Sequence, residues 1–221
     1  MASQRSRNDE ARIRLSRERV LEAAVDLADR DGLASLSMRR LAQALGVEAM
    51  SLYHHVANKD EILDGMVEAV LSRGSVPAGD DWKATIRRIA ISTHESLVAH
   101  PWAASLMLSR TTPSRLRYME GILGSLRRGG FSPEMTDHAY HAIDSHVSGF
   151  TLWEASFNLE PETLPSLADA FLRNLPADYP YIAEHVHEHL KERPRSEGGE
   201  FAFGLDLILD GLERLHSGSI G

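Results

Sequence analysis

Residues 37–62 read SMRRLAQALGVEAMSLYHHVANKDEI, and the spacing of apolar residues in this stretch decides the fold. Met38, Leu41, Ala42 and Leu45 recur at helical spacing behind Ser37, whose hydroxyl suits a helix start, and Gly46 supplies the stop just past the last turn. Two residues on, EAMSLYHHV (48–56) predicts another short helix with Leu52 and Val56 turned inward. That orientation leaves Ala49, Met50, Ser51, Tyr53, His54 and His55 on or near the outside. Asn58 then sits at a cap position before Ile62, Leu63, Met66, Val67 and Val70.

Working outward, Ser16 caps a helix in which Val20, Ala23, Ala24, Leu27 and Ala28 share one face, and RDG at 30–32 ends it. Four helices therefore fill residues 17–72. RGSVPAGDDW at 73–82 has two glycines, a proline and a polar run, and reads as a junction. It suggests two parts, residues 1–72 and 80–221. Beyond it, Ile86, Ile89, Ala90, Thr93 and Leu97 form one helical stripe, and Leu116, Met119, Ile122, Leu123 and Leu126 form another that RRGG closes. A long helix follows FSP at 131–133. From Glu160 to Gly199 prolines 161, 165, 176 and 180 and the later RPRSEGG break the pattern, leaving helices expected near 164–173 and 178–192 and a mobile loop before the last helix. No segment alternates like a strand with hairpin turns, so the fold class is all-α.

Charge is distributed unevenly. Residues 1–60 carry ten Lys/Arg against nine Asp/Glu, while residues 61–221 carry fourteen against twenty-three, within a net charge of -8. A chain that coats nucleic acid by bulk positive charge is excluded, and any anion-binding face must lie near the N-terminus. Arg5, Arg7, Arg12 and Arg14 make residues 1–16 either a solvated tail or an arm that touches phosphate. The absence of cysteine removes disulfides, thiolate metal sites and a Cys nucleophile. Without an apolar leader or a run long enough to span a bilayer, the expectation is a soluble, cytoplasmic protein that does not enter membranes.

Two short helices around a glycine turn have the proportions of a helix-turn-helix, whose second helix enters the major groove. Tyr53 and His54 can donate to phosphates or base edges, Met50 can pack on a thymine methyl, and Lys59 can reach phosphate. Ser37 and the first N–H groups of its helix can form an anion site. At these residues the chain resembles a known family. Residues 17–71, above all LSMRRLAQALGVEAMSLYHHVANKDEILD, resemble the DNA-binding domain of the TetR family of bacterial repressors. The resemblance implies a dimeric all-helical regulator with a larger C-terminal ligand-binding and dimerisation domain. It places Ser37, Arg39, Ala49, Met50, Ser51, Tyr53, His54, His55 and Lys59 at DNA-contacting positions. RRGGFSPE at 127–134 and FAFGLDLILDGLERL at 201–215 are similar to the tetracycline-repressor type of C-terminal domain. That type holds a magnesium-drug chelate with a histidine, whereas residues 101–112 contain no His, Asp or Glu, so no ligand residue carries over.

In the last helix Phe201, Leu205, Ile208, Leu212 and Leu215 form one stripe, with Ala202, Phe203, Leu207 and Leu209 making much of the other side apolar. A helix apolar around most of its circumference is buried around most of it, and a partner subunit is the natural cover. Gly204 and Gly211 would let another helix approach. The expected dimer residues are Phe150, Phe201, Gly204, Leu205, Ile208, Gly211 and Leu212, from this helix and the one at about 133–157. An apolar effector pocket is expected among Ile89, Thr93, Trp102, Met107, Met119, Leu123, Tyr140 and Trp153 in the central helices, although each alone is equally a core residue. No cofactor is implied.

Two other readings remain open. A helical interaction module would dock on protein and ignore DNA. A metal-dependent helical enzyme would use His138, His141 and His146 or His185, His187 and His189, but their spacings lack an H-E-x-x-H arrangement. Glu95, Asp144 and Glu154 are lone acids in helices, and no Ser-His-Asp set or phosphate loop offers catalytic residues.

Overall fold

The computed structural model describes residues 15–72, 81–156, 163–188 and 199–218, and among these every regular element is helical. They are α1 (Arg17–Asp31), α2 (Met38–Leu45), α3 (Ala49–Leu52), α4 (Lys59–Leu71), α5 (Trp82–Ala99), α6 (Pro101–Ser109), α7 (Pro113–Arg128), α8 (Pro133–Ser156), α9 (Leu164–Asn174), α10 (Pro180–Val186) and α11 (Gly199–Gly218). None of them is long and apolar enough to cross a membrane. The expected basic arm, most of the junction and the loop before the last helix lie outside the described residues.

Local chemistry accounts for the boundaries. Ser16, Ser37 and Asn58 each accept, through the side chain, a backbone N–H three residues on, from Arg19, Arg40 and Glu61. These bonds satisfy N–H groups that have no partner within a first turn. Ser132 and Thr112 do the same for α8 and α7, accepting from Met135 and Arg115. Pro101 starts α6 where it can no longer continue α5, because proline lacks the N–H the helix would need. A short 3-10 turn at Leu33–Ser35, not anticipated, folds Leu36 into the core behind α1.

The described chain clusters into two compact units, which do not coincide with the division at residues 72–80. One comprises the residues up to Pro77 with Ser92–Ile122, the other Ala78–Ile91 with Leu123–Gly221. In the first, α1 packs on α4, α2 and α6, and Val20, Ala24, Leu27, Leu41, Leu52, Val56, Ile62, Met66 and Met107 form a continuous buried core. In the second, α8 packs along α11. Phe131 is buried between Trp82, which meets it edge-on at 4.8 Å, and His216, which stacks at 4.3 Å. Lys83 pairs with Asp210 and Glu213, and Arg87 with Asp206, fastening α5 to α11.

The last helix is only partly covered within one chain. Phe201, Ala202, Leu205, Leu209 and Leu212 are buried, whereas Phe203, Leu207 and Leu215 are 64%, 56% and 57% exposed. Gly204 has a local neighbour on another helix: a Cβ there would meet the His146 ring of α8 at 2.5 Å. That ring stacks on Phe201 and shares a hydrogen bond between Nε2 and the Phe201 carbonyl.

Candidate nucleic-acid interface

The turn between α2 and α3 is built by Gly46, which adopts φ 67° and ψ 33°. Its N–H donates to the Gln43 carbonyl, and the N–H of Val47 donates to that of Ala42. This pair of bonds closes the helix in a Schellman motif, which needs a left-handed residue at that point. Leu41 and Leu52 are fully buried behind the turn and lock the two short helices together. The regular part of α3 is shorter than expected. After Leu52 the chain tightens, with His55 N–H donating to the Leu52 carbonyl at 2.9 Å, and this brings Val56 into the core before Asn58 extends to cap α4.

With Leu52 and Val56 inward, the opposite face is open. Met50 is 73% exposed, Tyr53, His54, Arg39 and Lys59 are exposed, and Ala49, Ser51 and His55 are half-buried beside them. The Ser37 hydroxyl caps α2. The two adjacent arginines differ. Arg40 donates to Asp31 at 2.6 Å and is held back against the end of α1, while Arg39 has no side-chain partner among the described residues. One guanidinium is thus committed to the protein and the other is available to an anion or a base edge. Behind this face Glu61, at the third position of α4, accepts from the Ala57 N–H at 2.7 Å and from Arg17 at 3.2 Å. The Ala57 bond first, then Arg17, holds its carboxyl below the usual range.

Sequence reasoning missed a row of acids on α4. Asp60, Asp64 and Glu68, at i, i+4 and i+8, share a face. Arg110, in the turn after α6, donates to Asp64 at 2.6 Å and to Asp60 at 2.7 Å. Glu68 accepts from the Ser114 N–H at 2.7 Å and from Arg117. On α1, Asp29 accepts from the Trp102 indole at 2.6 Å and meets His100 Nδ1 at 2.9 Å. The helices that carry the outward face are therefore tied through charge-assisted bonds to residues 100–117. Burial pushes the Glu68 carboxyl up, but the bonds from Arg117 and Ser114 outweigh it and hold it below its ordinary value of 4.5. A carboxyl depressed on folding adds stability above its unfolded pKa and loses it as pH falls through the folded one. Glu68→Gln is expected to lower stability by about 1 kcal/mol at pH 7, because the group is about a third exposed. Thermal melts should show that difference shrinking as pH falls from the carboxyl's ordinary value through the lower folded one; a difference independent of pH would mean the charge is not what matters.

Of the residues expected to line an effector pocket, Thr93, Trp102, Met107 and Met119 belong to the first compact unit and Ile89, Leu123, Tyr140 and Trp153 to the second. Trp102 has its N–H committed to Asp29, and Trp153 is exposed, its ring 5.4 Å from that of Phe150. Among the described residues no three His, Asp or Glu gather to hold a metal ion. His138 is exposed, His141 lies 3.5 Å from Asp137, and His146 packs on Phe201; His189 is outside the described residues.

Comparison with known proteins fits this geometry. Residues 20–66 match the family model described as bacterial regulatory proteins, tetR family, and residues 76–216 match the one for the tetracyclin repressor-like C-terminal domain. The HTH-type transcriptional repressor DrrR1 of Streptomyces coeruleorubidus is 36% identical over 212 residues, covering 91% of this chain and 78% of the relative. The class D tetracycline repressor protein of Escherichia coli is 32% identical over 208 residues, 90% of each chain. Among solved structures, ActR of Streptomyces coelicolor in complex with (S)-DNPA aligns with a TM-score of 0.66 at 28% identity, covering 90% of this chain and 97% of ActR.

Proposed function

Because the chain belongs to the tetR family of bacterial regulatory proteins, and so acts in transcription rather than as an enzyme, we propose that it is a dimeric repressor released from a palindromic operator by a small molecule. The observation that carries this reading is the open face of α3, flanked by Arg39, which has no side-chain partner among the described residues, and by Lys59 on a capped helix-turn-helix. In this reading residues 1–72 bind double-stranded operator DNA in the bacterial cytoplasm, through Ser37, Arg39, Ala49, Met50, Ser51, Tyr53, His54, His55 and Lys59. Residues 80–221 dimerise and hold the effector. Two copies of α3 about one DNA turn (~34 Å) apart would read two half-sites related by a two-fold axis.

Phe203, Leu207 and Leu215, apolar yet exposed in the single chain, support a partner subunit along α11. Gly211 adds open space there, since a Cβ on it would meet only the Arg214 side chain, at 3.9 Å. The expected dimer residues Phe201, Leu205 and Leu212 are already buried within the chain, which gives the partner contact to their outer neighbours, with Phe150, Gly204 and Ile208 beside them. The effector is a largely apolar molecule. The stretch 101–112 offers it no His, Asp or Glu, and His100 next to it is turned to Asp29. ActR, solved with (S)-DNPA, is a relative with a small-molecule complex. Effector binding favours a conformer in which α4 shifts and the two α3 helices no longer match the half-site spacing.

Selection from random duplex DNA tests the reading. An enriched palindrome whose affinity falls steeply with salt, with a log-log slope near -0.9 per phosphate neutralised, is the expected result; failure to enrich any duplex opposes it. Arg39→Ala and Tyr53→Ala should each weaken binding to the selected site, by about tenfold if each loses one hydrogen bond to a charged phosphate or base. His187→Ala, exposed beyond α10, should not. Equal losses in all three would point to misfolding instead.

A further inference from the structure

We propose that Met50 is a specificity-determining residue of the operator contact and reads the 5-methyl group of one thymine in each half-site, an assignment that rests on the operator-binding reading above. At 73% exposure Met50 is the most exposed large apolar side chain among the described residues of the DNA-binding part. It does not belong to a wider apolar patch: Leu52 is fully buried, and Ser51, Tyr53 and His54 surround it with polar groups. A single flexible thioether held out from a polar face has no role in the core and fits an apolar counterpart on whatever that face meets.

A major groove offers one such counterpart. Its base edges are hydrogen-bond donors and acceptors except for the thymine methyl. The rest of the helix sharpens the argument. Residues 49–55, AMSLYHH, contain no Asn, Gln, Arg or Lys, so the helix lacks the forked groups that pair with adenine or guanine in two bonds. The hydroxyls of Ser51 and Tyr53 and the rings of His54 and His55 can each donate or accept, which makes them tolerant of the base they meet. Of the two forks on α2, Arg40 is tied to Asp31, and Arg39 stands on the other helix of the motif, outside residues 49–55. Of the two apolar side chains that this face offers to a methyl group, Ala49 is short and half-buried, and Met50 is long and 73% exposed, so Met50 is the one that reaches furthest into the groove.

The test uses the full-length protein and the duplex it selects. Each thymine is replaced in turn by deoxyuridine, which removes only the methyl, and affinity is measured for the unaltered protein, Met50→Ala and Met50→Gln. The expected result is one thymine per half-site whose replacement costs about fourfold, or about fifteenfold when both copies change, the value of burying one or two carbons. Neither variant should feel that replacement, and both should melt like the unaltered protein because the side chain is exposed. A 5-methylcytosine·guanine pair at the same position should bind the unaltered protein about fourfold better than an unmethylated cytosine·guanine pair. A selected duplex whose methyl groups matter equally to all three proteins, or to none, overturns the assignment while leaving operator binding intact. Failure to select any duplex overturns both.

Discussion

Phe131→Ala is expected to lower the free energy of unfolding by about 3–5 kcal/mol, the usual cost of emptying a buried aromatic site. Phe131 is 1% exposed and fills the space between Trp82 of α5 and His216 of α11. Its position is set by the end of α7. Gly130 takes φ 90°, the Phe131 N–H donates to the Leu126 carbonyl at 3.2 Å, and Arg127 grips the Phe131 carbonyl. This turn aims the ring inward, and Gly129 leaves room for Trp82, which a Cβ would meet at 2.7 Å. Trp82 and His216 are large and held by their own helices, so the void has little means of closing. In a chain of this size the loss corresponds to a fall in melting temperature on the order of 10 °C. A change under about 1 kcal/mol in chemical unfolding would show that the site collapses around the smaller side chain.

Leu207→Asp should act on assembly rather than on the fold. Leu207 is 56% exposed in the single chain, so a carboxylate there costs the monomer little. In the proposed dimer the same position meets the partner along α11, and a two-fold axis brings in the charge twice. Burying an unpaired carboxylate costs several kcal/mol, so dimer dissociation should rise by at least about a thousandfold. Sedimentation at low micromolar concentration should find a monomer with an unchanged melting curve, and operator affinity should fall with it. A variant that remains a dimer would remove the outer face of α11 from the interface.

Ser16, Ser37 and Asn58 were legible as caps, and Gly46 as a turn, because a cap or a left-handed turn is decided by neighbours within a few residues. The inward placement of Leu52 and Val56, and with it the open face of α3, followed from periodicity alone. The grip on that face was not legible. Asp29 and Trp102 are 73 positions apart, and Arg110 lies 46 and 50 positions from its two aspartates. Nothing in the local sequence distinguishes such pairs from solvated charges. Gly204 marks a second limit. Its spacing from Gly211 suggested a close helix approach, and the missing side chain seats the His146 ring of α8, a pairing that spacing alone does not name.

The bonds from residues 100–117 to α1 and α4 set a boundary on how such a protein can be recombined. A helix-turn-helix cut from the chain after Ser72 leaves behind Trp102, His100, Arg110, Ser114 and Arg117, and with them the partners of Asp29, Asp60, Asp64 and Glu68. It also leaves behind the buried side chains Ala103 and Met107. Three carboxylates on one face of α4 would then stand uncompensated, repelling one another and any nearby phosphate. A chimera that exchanges operator preference with a relative must therefore either carry residues 92–122 along or leave the scaffold in place and trade only the outward residues of α3. The second course leaves the buried Leu52 and Val56 in place, which makes target choice the most freely transplanted property of this chain.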